Sequence, residues 1–138
     1  MRLVIVGTVL MLAVASFLFI RARILTTKSI VRDGLSRFRD SFHGRYSELL
    51  LSQTYRYLAE RHGAVGPHYI VQPDDELDRV YGLVDLDLED AVLVIADRAG
   101  ARLPKPADLD ELKTRGVRTV DDLLQFLEPY FVSEPVKG

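Results

Sequence analysis

The chain has 138 residues, 48% hydrophobic and 28% charged, enough for one modest domain and a membrane anchor but too few for two full domains. It has no cysteine, which excludes disulfide staples, thiolate metal sites and cysteine nucleophiles. The formal net charge of −2 hides an asymmetry: residues 21–68 carry nine Lys/Arg against four Asp/Glu, and residues 69–138 carry eight against sixteen. So acidic a distal part lacks the cationic surface that phosphates require, and a nucleic-acid partner is not expected.

The first element is a run of 18 residues without a charge, Leu3 to Ile20. As a helix it would extend ~27 Å, close to the ~30 Å hydrocarbon thickness of a bilayer. Arg21, Arg23, Lys28 and Arg32 follow it, against Arg2 alone on the other side. By the positive-inside rule this predicts a single-pass anchor over residues 1–20 with the N-terminus out and the soluble part cytoplasmic; the expected setting is a bacterial inner membrane. Ala13-Val14-Ala15 offers a rival reading, a signal-peptide cleavage site that would release a secreted helical protein. Phe17-Leu-Phe-Ile20 would then be left exposed, and the cationic cluster resists export, so retention is the expectation.

Residues 21–45 read as a basic amphipathic helical stem. Val31, Leu35, Phe38, Phe42, Tyr46 and Leu49 recur at helical spacing, while Arg32, Arg37, Arg39 and Arg45 fall off that stripe. Gly34 and Gly44 are its weak points. Three destinations are open to the stripe: the chain's own domain, a partner helix, or anionic lipid. Its aromatic content favours protein packing, and Val31, Leu35, Phe38 and Phe42 are candidate partner-binding residues.

A small helical domain is expected over residues 46–131. Its first helix runs from about Tyr46 to Arg61 and ends at His62-Gly63. Gly63 to Pro73 is a loop, and Asp74-Asp75-Glu76 opens a short acidic turn reaching Tyr81-Gly82. Asp87 can cap a helix from Leu88 to Ala99, stopped by Gly100, and Leu103-Pro-Lys-Pro106 is a rigid connector. A short helix spans Ala107 to Thr114, broken by Gly116. Thr119-Val-Asp-Asp122 is a capping box that opens a helix from Val120 to Leu127. Pro129 and Pro135 are expected to end the structure, leaving 132–138 as a loose tail. With no strand-like alternation the fold class is all-α. Leu50, Leu58, Val92, Ile95, Val120, Leu123 and Leu127 should form the core.

Two stretches carry a family resemblance. Asp75-Glu-Leu-Asp-Arg-Val-Tyr-Gly-Leu-Val-Asp-Leu-Asp87 looks like the turn before the second helix of acyl carrier proteins. Arg118-Thr-Val-Asp-Asp-Leu-Leu-Gln-Phe-Leu127 looks like their fourth helix, and Leu103-Pro104 falls where carriers often have an apolar-proline pair. The likeness covers roughly Tyr46 to Phe131 and implies a small four-helix acyl-carrier-like bundle. Carriers attach phosphopantetheine to a serine at the start of helix two. Asp85 stands at that position here, or Leu88 in a shifted frame, and no serine lies between Gln53 and Val132. The resemblance therefore implies a degenerate carrier that takes no cofactor. It also implies an acidic docking face (Asp74, Asp75, Glu76, Asp78, Asp85, Asp87, Glu89, Asp90 and Asp97) that could meet a basic partner. Helix-start carboxylates also stabilise the helix dipole, a purely structural use of the same residues.

No catalytic constellation is legible. His43, His62 and His68 are scattered and make neither a zinc site nor a triad. Asp85-x-Asp87-x-Glu89-Asp90 lacks the central Gly and closing Glu of a calcium loop, and no Gly-rich phosphate loop is present. The expectation is a non-catalytic, membrane-anchored accessory or scaffolding subunit without cofactor or metal, which docks a protein partner at a membrane or membrane complex. Asp85, Asp87, Glu89 and Asp90 would be one contact surface and the Val31–Phe42 stripe the other. A membrane-tethered acyl carrier component of lipid or polyketide synthesis is the alternative.

Overall fold

A computed structural model describes residues 13–21, 33–61 and 69–132. The chain divides into two units, Met1–Asp33 and Gly34–Gly138. In the first, residues 13–21 are helical, and Val14, Phe17, Leu18, Phe19 and Ile20 are exposed. Among the described residues no helix is long and apolar enough to cross a membrane. The expected span begins at Leu3, and its residues 3–12 lie outside the described residues, as does Val31.

In the second unit every described element is helical, joined by one isolated antiparallel bridge between Glu76 and Thr119. α1 (residues 33–40) precedes α2 (Glu48–Glu60), α3 (Leu77–Tyr81), α4 (Leu86–Arg98), α5 (Pro106–Arg115) and α6 (Val120–Phe131). α2, α4 and α6 pack pairwise and supply most of the buried residues. The seven core residues expected from periodicity are all fully buried.

Local chemistry sets most of the boundaries. The Ser47 hydroxyl accepts from the Leu50 N–H and starts α2. Gly82, at φ 65°, closes α3 in the left-handed region, with the Gly82 and Leu83 N–H groups donating back to the Asp78 and Leu77 carbonyls. Thr119 opens α6 with the expected reciprocal cap: its hydroxyl accepts from the Asp122 N–H, and the Asp122 carboxylate accepts from the Thr119 and Arg118 N–H groups. The start of α6 is also pinned from outside, because the Leu77 N–H donates to the Arg118 carbonyl while Val120 and Asp121 donate to the Asp75 and Pro73 carbonyls.

Two expectations are corrected. Pro129 does not end the fold; α6 runs through it to Phe131. Proline removes the N–H that would reach the Gln125 carbonyl, but both residues are exposed, so water can take that acceptor. The last turn has tertiary support as well, since the Arg102 N–H donates to the Tyr130 carbonyl and its guanidinium lies 5.1 Å from the Tyr130 ring. Nor are residues 34–45 a separate stem. Helix α1 stops at residue 40, tight turns follow through positive-φ His43 and Gly44, and the segment belongs to the domain's own unit.

Candidate docking surface

The four carboxylates expected at the surface come together at the start of α4. The left-handed Gly82 reverses the chain, Leu83 is buried as a plug, and Val84 and Asp85 swing outward. Asp85 has φ 41°, and its carbonyl accepts from the Leu88 and Glu89 N–H groups while its carboxylate makes no cap bond. Asp87 and Asp90 are exposed one turn apart. Glu89 points sideways, half-buried, and pairs with Lys113 of α5 at 3.3 Å. Asp87 and Glu89 sit in the first turn, where negative charge opposes the positive end of the helix dipole. A groove of about 610 Å3 opens beside Asp85, lined in part by Arg79, Leu83, Val84, Val117 and Arg118.

Sequence reasoning missed the apolar part of this surface. Val84 is 52% exposed and Leu86 is 72% exposed, both set among the carboxylates. The signal was present in the helical register. Leu88, Ala91, Val92 and Ile95 take the inward side of α4, and Leu86 lies two residues before Leu88, roughly 200° around the axis. An apolar run entering a helix therefore had to leave one member facing out.

The other expected contact surface is corrected. Phe38 and Phe42 are 0% exposed and Leu35 is half-buried, so they pack on the chain's own domain. Phe38 meets Phe42 edge-on at 5.0 Å and Tyr55 at 5.4 Å, and Phe42 continues the contact to Tyr46 at 5.4 Å. Gly34 permits this approach: a Cβ there would lie 2.0 Å from the Tyr55 hydroxyl oxygen. A helical stripe shows which residues share a face but not what covers it, and here α2 and the turn after α1 do.

Asp75 also leaves the expected acidic face. It is only 8% exposed, and its carboxylate accepts hydrogen bonds from the Tyr69 hydroxyl at 2.5 Å, the Tyr81 hydroxyl at 2.8 Å and the Gln72 N–H at 2.8 Å. Burial, followed by the adjoining carboxylate, pushes Tyr69 up to about 12 and raises Tyr81 further in the same direction. Both phenols therefore stay protonated and donate. Since the Asp75 carbonyl also accepts from Val120, this cluster ties the approach to α3 onto α6. Its position is that of a structural tie between the segment before α3 and the start of α6.

His43 is exposed in the turn after α1, while His62 and His68 lie outside the described residues. Among the described residues no three His, Asp or Glu side chains converge as metal ligands. Comparison with protein-family models, curated proteins and solved structures finds no match to this chain.

Proposed function

We propose that the chain is a non-catalytic, single-pass membrane protein whose helical domain docks a protein partner through the start of α4, as an accessory or scaffolding subunit of a membrane complex. The observation that carries this reading is the exposed Leu86 set among Asp85, Asp87 and Asp90. Leu86 at 72% and Val84 at 52% exposure form an apolar pair in a charged rim, an arrangement that suits protein recognition. Anchoring rests on the charge-free Leu3–Ile20 run and the cations after it. On this reading residues 1–20 span the bilayer with the N-terminus out, and the domain is cytoplasmic.

The acyl-carrier likeness belongs to the same proposal. Asp85 occupies the place of the prosthetic-group serine, and a carboxylate cannot supply the alcohol oxygen of that phosphodiester linkage. The domain is then a carrier-like module that retains contact and lacks the acyl arm. Affinity purification of the full chain in mild detergent tests the reading. The D85K/D87K/D90K variant should lose a partner that the parent retains, with unchanged far-UV circular dichroism. Equal recovery would leave the α4 carboxylates as solvating groups only. Deleting residues 1–20 should release the chain from carbonate-washed membranes.

A further inference from the structure

We infer that the α4 surface takes a cationic juxtamembrane segment of a different integral membrane protein, an assignment that rests on the membrane-anchored reading above. No large apolar residue among those described is more exposed than Leu86. Glu48, Glu60, Glu76, Glu89, Glu111 and Asp121 each have a Lys or Arg within 2.7–3.3 Å. The charges around Leu86 lack ion pairs among the described residues, as do Asp40, Asp74, Asp78, Asp97, Asp110 and Glu128. What distinguishes Asp85, Asp87 and Asp90 is therefore their place around an exposed leucine. The helix dipole accounts for a first-turn carboxylate such as Asp87; it does not account for Asp90, a turn further in, or for an outward leucine.

Chain length then limits where this surface can work. Residues 21–33 separate the end of the apolar run from Gly34, and even fully extended they reach at most ~45 Å. The domain is therefore confined near one membrane face. Anionic lipid is close at hand there, but it repels carboxylates. The cytoplasmic ends of other membrane helices are also at hand, and the positive-inside rule loads them with Lys and Arg next to apolar residues. Such a segment complements this surface twice: its cations meet Asp85, Asp87 and Asp90, and an apolar residue or pocket takes Leu86. Burial of the leucine supplies the anchor, and the charges orient the encounter and select against acidic partners.

A photoreactive phenylalanine analogue at position 86 of the full-length chain, irradiated in the cells that produce it, tests the assignment. The expected product is an adduct with another integral membrane protein, mapped by mass spectrometry within ~20 residues of a membrane-helix end rich in Lys and Arg. Adding D87K/D90K should reduce its yield about tenfold or more, through like-charge repulsion. An adduct with lipid, with a soluble protein or with a second copy of this chain overturns the assignment. So does a yield no greater than that from the same analogue at exposed position 103. Carbonate extraction of the same cells reads the anchor separately. A chain removed by carbonate overturns the anchored reading and the juxtamembrane occupant with it, whereas a retained chain without the adduct overturns the occupant alone.

Discussion

Gly34→Ala separates a packed α1 from a free stem by the sign of its effect. In a helix exposed to water the change should stabilise by ~0.5–1 kcal/mol, because glycine has the larger backbone entropy to lose. In this domain the added Cβ would meet the Tyr55 hydroxyl oxygen at 2.0 Å and its ring carbon at 3.1 Å. Tyr55 is buried with its ring against Phe38, so it cannot turn away without disturbing the aromatic cluster. Overpacking of this kind costs ~1–3 kcal/mol, so after the helix gain of ~0.5–1 kcal/mol the net loss is up to ~2.5 kcal/mol. For a domain of this size that is a fall in Tm of up to ~12 °C, measured by far-UV circular dichroism on the full chain in mild detergent. Tyr55→Phe removes the oxygen that the methyl group strikes. Combined with Gly34→Ala it should recover part of the loss, with a coupling of ~0.5 kcal/mol or more between the two sites. A higher Tm for Gly34→Ala, or simple additivity with Tyr55→Phe, would refute the packing of residues 34–45 into the domain.

Asp75→Ala should cost ~2–5 kcal/mol in urea unfolding, because it leaves two phenol hydroxyls and the Gln72 N–H without their buried acceptor; a loss under 1 kcal/mol would mean that water replaces the carboxylate. Thr119→Ala should cost ~1 kcal/mol through loss of the α6 cap, again read from urea unfolding. Burial alone would raise Asp122, yet donation from the Thr119 and Arg118 N–H groups holds it below 3.8. Its contribution is therefore present above pH 3.8 and lost as pH falls below that, which an acid titration of Tm will show. Tyr69 has the opposite sign. Its folded value is raised from 10.0 to about 12, so its share of stability is complete below pH 10 and disappears as pH rises towards 12. Tyr69→Phe should flatten that alkaline limb of the Tm–pH curve.

Much of the fold was legible because its determinants are local. The reciprocal cap at Thr119 and Asp122, the left-handed glycines at 82 and 116 and the apolar spacing of α4 and α6 each need only residues a turn apart. Such signals fixed the all-α class, most helix boundaries and every core residue named from periodicity. They also placed Asp85, Asp87, Glu89 and Asp90 together, since four carboxylates within six positions at one helix start cannot be far from one another.

Partnership between distant elements was left to the tertiary structure. Local pattern could not show that the Phe38–Phe42 stripe is covered by Tyr55 and Tyr46, or that α6 outlasts Pro129 because Arg102 supports its last turn. Asp75 and Asp85 have the same side chain ten positions apart. One is turned inward to two tyrosines and the other outward beside an exposed leucine. Composition placed both on one acidic surface; the convergence of Tyr69, Gln72 and Tyr81 on Asp75 separated them, because a carboxylate can be buried only where donors from other parts of the chain converge on it.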